Sequence, residues 1–200
     1  MSIFLASLIV GSAFSSPLLA ETPSGPDVAE CVVDNDMNDV RALLRTVPGS
    51  QAEAKATKQV LVYYGGCNDN KVMAGGFAWR ERAEIAEAAA ASLLTRGQPD
   101  VVAAAGQADW AFALPKGVQP AGYDSSNVGM RMLGDCVLRA NPQVTLALLR
   151  SDRGSAAETA AIAGLSGNFA SCLTAGQTFK LKRQDLRLVV AEPLYHLLSR

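Results

Sequence analysis

Residues 42–53 read ALLRTVPGSQAE, and residues 147–158 read ALLRSDRGSAAE. Each of these segments lies between two cysteines, which are Cys31 and Cys67 for the first segment and Cys136 and Cys172 for the second. The second half of the chain repeats the first at a constant offset of 105 residues, and about one aligned position in four is identical. Because agreement between two copies marks what the folded unit needs, this pattern predicts a duplicated fold.

Each copy has the residue spacing of four helices. Apolar residues recur every three or four positions, which is typical of helices and not of strands. Ser50 and Glu53 form a capping box at the start of the third helix, and so do Ser155 and Glu158, with each Glu expected to reach back to its cap residue. We therefore predict an all-α fold, a pseudo-twofold tandem duplication of a four-helix unit in which each copy is stapled by one disulfide.

Two local signals predict where helices stop. Gly65 and Gly66 predict the end of the third helix in the first copy. Pro193 lies inside the last helical pattern, so we expect a kink or break near Glu192 that leaves residues 194–200 as a separate turn.

The chain divides into four predicted segments. These are a signal peptide at 1–20, a first helical repeat at 21–96, an ordered connection at 97–127 and a second helical repeat at 128–200. The connection carries Trp110, Phe112 and Tyr123, which a featureless linker would not, and a short helix is expected near residues 101–105. Units of about 65 residues are marginal alone, so we expect the two repeats to share one core.

The N-terminus predicts export. Residues 1–20 carry no charge and contain a mostly apolar run, which is typical of a secretory signal cleaved after Ala20. The run is too short for a comfortable membrane span of about 20 residues. The alternative to a cleaved signal is an uncleaved N-terminal anchor. We expect a periplasmic or secreted mature chain without a transmembrane segment.

The cysteines agree with an oxidising compartment. The chain has four cysteines and one histidine, without the closely spaced pairs of a zinc site, so we predict no metal. Of the three possible pairings, the repeat selects Cys31 with Cys67 and Cys136 with Cys172. The alternative is four reduced, buried cysteines in a cytoplasmic chain.

Composition and motifs exclude several functions. Hydrophobic residues make up 49% of the chain and the formal net charge is -1, so a core can form and nothing suggests nucleic acid or a cofactor. Asp34–Asp39 resembles a calcium loop but lacks its Gly and its final Glu, which favours an acidic turn. The single histidine, His196, has no nucleophile motif beside it, so we predict a surface or half-buried histidine and no catalytic residue.

Two arginines on the inward face of the fourth helix are the main candidates for a site. Arg82 and Arg187 repeat at the same offset, and a charge in an apolar stripe needs a partner. We predict an Arg–Glu pair in each copy that fixes the fourth helix against the third, with binding of an anionic ligand as the alternative. Trp79 and Trp110 are weaker candidates, either lining a pocket between the copies or filling the core.

The pattern of Cys, Leu-Leu-Arg, Gly-Ser-x-x-Glu, Cys, Arg and Ala-Glu resembles small exported bacterial proteins with a duplicated Cys-containing helical unit. Residues 191–195, AEPLY, are similar to their Ala-Glu-Ala-Leu-Tyr ending, with Pro193 as the departure. The resemblance implies export and a helical fold, and it lends no catalytic residues. We expect a non-catalytic envelope protein that binds a protein or another macromolecule. The alternatives are a small-ligand binder with an apolar cavity between the repeats and, third, an enzyme.

Overall fold

The computed structural model describes residues 26–67, 79–97, 100–106, 125–173 and 181–199. Over these residues the chain is all-α, as predicted, and contains no strand. The helices are α1 (Pro26–Asn35), α2 (Met37–Leu44), α3 (Gln51–Cys67), α4 (Trp79–Leu94), α5 (Val101–Gly106), α6 (Ser125–Ala140), α7 (Pro142–Arg150), α8 (Ala156–Cys172) and α9 (Arg183–Leu198). The short helix expected in the connection is α5. The predicted signal peptide and Trp110 lie outside the described residues.

Side-chain caps explain where two of the short helices begin. Asp36, in the acidic turn, accepts hydrogen bonds from the backbone N–H groups of Asn38 and Asp39 at 2.7 and 3.2 Å. Asn141 caps α7 through the N–H of Val144 at 3.3 Å. The acidic turn thus has a structural role at the start of α2, because its aspartate satisfies N–H groups that have no partner within the helix.

The capping boxes differ in one detail from the predicted form. Ser50 accepts from the N–H of Glu53 at 3.1 Å, but the Glu53 carboxylate bonds the N–H of Gly49, one residue before the cap, at 2.6 Å. The same N–H to carboxylate bond joins Gly154 to Glu158 at 2.8 Å. Gly49 and Gly154 have φ of 78° and 75°. This left-handed conformation favours glycine, which accounts for the Gly-Ser pair in both segments.

Two disulfides tie the first helix of each half to its third. Cys31 of α1 is bonded to Cys67 of α3, and Cys136 of α6 to Cys172 of α8. Both bonds span 36 residues, with Cα atoms 5.8 Å apart. This is the pairing that the repeat selects, and it leaves no free cysteine among the described residues.

The expectation of a single shared core is wrong, because the buried apolar side chains form two clusters. One cluster is made by α1–α4 and the other by α5–α9. The two meet where α4 packs on α9. Tyr195 of α9 belongs to the first cluster, Trp79 of α4 packs against the second, and Leu198 touches both. The buried apolar interior is therefore divided between the halves, and side chains of α4 and α9 contribute to both clusters.

Two predicted helix ends are wrong. Helix α3 continues through Gly65 and Gly66 to its disulfide at Cys67. Helix α9 continues through Pro193 to Leu198 in one element. Proline has no N–H for the carbonyl of Val189, yet the flanking turns of α9 are buried and packed, which holds the helix together. At Pro193 tertiary packing outweighs the local preference. Gly65 and Gly66 have open space around them, and the helix there runs on to the disulfide-bonded Cys67.

Gly134 of α6 lies against the turn of α9 between Val189 and Pro193. A Cβ atom built on Gly134 would lie 1.9 Å from the carbonyl oxygen of Val189 and 3.1 Å from the Pro193 ring. Only glycine lets the backbone of α6 come this close. The same construction at Gly167 of α8 meets nothing within 4 Å.

We expect Gly134→Ala to destabilise the protein by about 3 kcal/mol, since α6 must move away from α9. The matched change Gly167→Ala should instead stabilise it by about 0.5–1 kcal/mol through the better helix propensity of alanine. Urea unfolding of both variants at constant disulfide content measures the difference. Equal midpoints would contradict the close approach.

Candidate functional site

Arg82 of α4 is 4% exposed and is bonded on every side. Its Nη1 donates to Glu53 at 2.7 Å, and its Nη2 and Nε donate to Glu192 of α9 at 2.7 and 3.1 Å. Nη2 also donates to the carbonyls of Leu44 and Thr46 at the end of α2, at 3.2 and 3.0 Å. Arg82 therefore caps α2 as well as pairing with two carboxylates.

Arg187 of α9 is 6% exposed and has the same kinds of partner. It is paired with Glu87 of α4 and, at 3.4 Å, with Glu158. Its Nη1 and Nη2 donate to the carbonyls of Ser151 and Leu149 at the end of α7, at 2.7 and 2.9 Å. Arg187 thus caps the end of α7 as Arg82 caps the end of α2.

The predicted ion pair between the fourth and third helices is present in both halves, but it is only part of the arrangement. The shorter contacts of Arg187 and the bidentate contact of Arg82 go to the other half of the molecule, to Glu87 and Glu192 respectively. A third ion pair, between Arg80 and Asp185, also joins α4 to α9. The anion-binding alternative loses support, since the donors of both arginines are engaged by the chain itself.

Glu192 contacts more basic side chains than the sequence pattern predicts. Arg131 of α6 donates to its Oε1, and Nε2 of His196 lies 3.6 Å from that oxygen. Burial by itself raises the pKa of Glu192, but Arg131 and Arg82 overcome it and hold the pKa well below its ordinary value. Burial lowers the pKa of Arg131 to about 9. The expected surface or half-buried histidine is wrong: His196 is buried against this carboxylate.

A narrow cleft lies beside Glu192, and it is named the closed cleft because little space remains inside it. It is lined by Trp79, Met130 and Arg131 together with Arg82, Val189 and Glu192, and its free volume is about 30 Å³. A water needs roughly 10–15 Å³ of such space, so this cleft holds about two waters and not an organic ligand. Trp79 therefore serves as packing here, and its ring also lies 5.8 Å from the guanidinium of Arg80.

An open cleft of about 350 Å³ lies beside Glu87. One wall carries Glu30 of α1 with Glu84 and Glu87 of α4, and the other carries Arg153 and the neighbouring turn after α7. Arg153 is paired with Glu87. Glu30 and Glu84 make no hydrogen bond or ion pair with any residue that the structure describes. A polar cavity of this size is within the range of ligand sites.

Glu84 is the acid of the open cleft whose pKa departs clearly from its ordinary value. Partial burial raises its pKa to about 7, the attraction of Arg153 opposes this, and Glu81 adds to it. The equivalent position in α9 is Val189, so this acid occurs in one half only. The sequence carries a signal for this acid, because the 105-residue offset places the charge of Glu84 opposite the apolar Val189.

No group of His, Cys, Asp and Glu side chains that could hold a metal ion occurs among the described residues. The hydroxyl of Ser151, the one serine that lines the open cleft, donates to the carbonyl of Leu148 at 2.7 Å and lies 3.3 Å from Nη1 of Arg187. It is therefore engaged in closing α7. The lining of this cleft is therefore charged: it holds Glu30 and Glu84, which have no ion pair among the described residues, and the guanidinium groups of Arg150, Arg153 and Arg187.

Arg82→Met should destabilise the protein by about 3–5 kcal/mol, because Glu53 and Glu192 lose a partner inside the protein. The matched control is Arg139→Met. Arg139 forms an exposed pair with Asp135 at 2.9 Å, four residues earlier in α6, and its loss should cost no more than about 0.5 kcal/mol. Chemical unfolding of both variants at neutral pH gives the comparison. Similar losses would contradict a central role for Arg82.

Glu84 should make stability depend on pH. Its ordinary pKa is 4.5 and its folded pKa is about 7, so between these values the folded state keeps a proton that the unfolded chain has lost. Stability then falls as pH rises through this window. Glu84→Gln should gain in melting temperature over the wild type between about pH 5 and pH 8, whereas Asp34→Asn, an exposed change on α1, should not. A difference independent of pH would contradict the assignment.

Comparison with known proteins adds no assignment to this geometry. The chain matches no family model, no curated protein and no solved structure at a significant level. The function must therefore be argued from the two clefts and the residues that line them.

Proposed function

We propose that the protein is a non-catalytic exported binding protein, built as a duplicated four-helix unit, that holds a small polar ligand in the open cleft. The observation that carries this proposal is a cavity of about 350 Å³ whose wall includes a half-buried carboxylate without a partner among the described residues. An acid withdrawn from water normally has a partner, so a half-buried acid with none among the described residues, in a cavity open to solvent, fits a ligand.

The complete pairing of the buried arginines supports the same proposal. Arg82 and Arg187 each bond two carboxylates and the carbonyls at a helix end, as expected of residues that the fold requires. Glu84 has no such duty. A charge that costs stability without bonding the fold together is a better candidate for function than one that does both.

Equivalent contacts at a fixed offset support a duplication. The disulfides, the Gly-Ser caps and the buried arginines recur 105 residues apart with the same kinds of partner. Export is supported by the two disulfides, since such bonds persist in oxidising compartments. No described helix has both the length and the apolar character needed to cross a membrane.

The apolar cavity expected for a small-ligand binder does not fit the closed cleft, which is far too small. We therefore place the proposed ligand site in the open cleft, on the other side of the α4–α9 contact. A macromolecular partner is supported less well. The large exposed apolar side chains among the described residues lie on separate elements, at Val62, Val102, Met132 and Leu173.

Acid catalysis is a second candidate because of Glu84 alone. A carboxyl with a pKa near 7, present in one half only, suits a general acid. A substrate that is converted in the open cleft, with turnover lost in Glu84→Gln, would favour this candidate over simple binding.

A binding test uses the oxidised mature chain released from the periplasm of an expression host. Native mass spectrometry should show a mass starting at Glu21 and a bound small molecule. Ala91→Trp fills the open cleft, because Ala91 lines it, and should abolish the bound species. Ala54→Trp, at an exposed position of α3, should retain it. A ligand that survives in Ala91→Trp would place binding elsewhere and contradict the proposal.

A further inference from the structure

The two disulfides occupy equivalent positions but differ in the side chain that lies against their sulfur atoms. The amide Nδ2 of Asn35 donates to Sγ of Cys31 at 3.5 Å and to Sγ of Cys67 at 3.6 Å. A further bond from the same Nδ2 to the carbonyl of Cys31, at 2.8 Å, holds the amide in place. The equivalent position in the second half is Ala140, whose methyl group cannot donate a hydrogen bond.

The chain beside the second cysteine of each pair differs as well. Residues 65–67 read GGC, whereas residues 170–172 read ASC. A Cβ atom built on either glycine would meet no atom within 4 Å. Thiol–disulfide exchange requires that an attacking sulfur reach the bond, so this space favours access to Cys67. Glycine also has a low helix propensity, which makes local opening of the last turn of α3 easier.

The first half keeps other contacts when its disulfide is open. Ala29, Val32 and Val33 of α1 are buried in the cluster made by α1–α4. Apolar burial of this kind holds α1 in place without a covalent bond. Cys31 and Cys67 are themselves half-buried, so the bond lies near the surface and not inside the core. Exchange at this bond therefore does not require that the protein unfold.

We propose that the Cys31–Cys67 bond is a thiol-exchange site, which a dithiol reductant opens while the Cys136–Cys172 bond stays closed. In this proposal Asn35 stabilises the leaving thiolate. A neutral disulfide sulfur accepts only a weak hydrogen bond, whereas a hydrogen bond to a charged acceptor is about twice as strong as a neutral one. The amide therefore favours the opened bond over the closed one. The proposal does not depend on a ligand in the open cleft.

The exchange proceeds in two displacements. One thiolate of the dithiol forms a bond to Sγ of Cys67, the bond between the two protein sulfurs breaks, and its electron pair stays on Cys31 as a thiolate. Asn35 follows Cys31 by one helical turn of α1, so its N–H stays with this leaving sulfur. The second thiolate of the reagent then displaces Cys67 and closes the reagent's own disulfide. The chain gains two electrons and two protons, and the dithiol is oxidised.

The charged neighbours of the two bonds act in the opposite direction, which makes the amide the decisive difference. Asp34 of α1 is equivalent to Arg139 of α6, and a cation favours a thiolate more than an anion does. Arg139 is engaged with Asp135 at 2.9 Å, however, and both Asp34 and Arg139 are exposed. Water and salt screen such charges, whereas the amide of Asn35 contacts the sulfurs directly.

Timed reduction of the oxidised mature chain by a limiting amount of dithiothreitol, at constant and mildly alkaline pH, tests the inference. Free thiols are alkylated at each time point and assigned to the four cysteines by peptide mass mapping. We expect the Cys31–Cys67 bond to open at least about threefold faster than the Cys136–Cys172 bond, as one charge-assisted hydrogen bond to the leaving sulfur predicts. Equal rates, or faster opening of the second bond, would overturn the proposal.

The repeat offers a matched pair of variants for the role of the amide. Asn35→Ala should slow opening of the first bond about threefold, and Ala140→Asn should speed opening of the second bond by a similar factor. Both positions are exposed, so neither change should move the urea midpoint of the oxidised protein. A preference for the first bond that neither variant alters would overturn the role of Asn35.

Two further measurements separate exchange in the folded protein from exchange after unfolding. Opening of the first bond should be insensitive to low urea concentrations, whereas a rate that rises steeply with urea would overturn exchange in the native state. With the monothiol mercaptoethanol and an acid quench, the mixed disulfide should appear at Cys67. A mixed disulfide found at Cys31 would overturn the assigned direction of attack.

Discussion

The crossed pairing of two buried arginines with the carboxylates of the opposite half is the interaction on which the rest of the structure depends. Arg82 reaches Glu192 and Arg187 reaches Glu87, so separating α4 from α9 would take one carboxylate partner away from each buried arginine. Moving such charges out of water is costly, and only good geometry with further hydrogen bonds offsets the cost. Both arginines have those further bonds, to helix-end carbonyls and to a second carboxylate.

The same arrangement explains how one architecture produces two different clefts. Each half contributes an Arg and a Glu to the α4–α9 contact, which leaves a recess on either side. On the side of Glu192, Arg131 and Met130 of α6 line a recess with a free volume of about 30 Å³, whereas the recess on the side of Glu87 has about 350 Å³. The two recesses therefore differ through residues that the two halves do not share, whereas the shared Arg and Glu residues maintain the fold.

Much of the local structure follows from neighbours in sequence. Helix periodicity, the Ser caps and the paired cysteines depend on spacings of a few residues or on the repeat, and the structure has these features. Pro193 shows the limit of such reasoning. Its missing N–H predicts a break, but Gly134 of α6 fits against the freed carbonyl of Val189 and the surrounding packing keeps α9 continuous. The roles of Arg131 and His196 could not be predicted, because both depend on a carboxylate placed by the fold.

By itself the sequence determined the helical class, the pairing of the cysteines and the burial of two arginines, because a repeat at a constant offset reports what both halves require. Only the tertiary structure decided which carboxylates those arginines meet, since Arg82 and Glu192 are brought together by the packing of α4 on α9. It also decided which recess is open. Cleft volume depends on how side chains from several helices fill the same space, and no spacing along the chain encodes that.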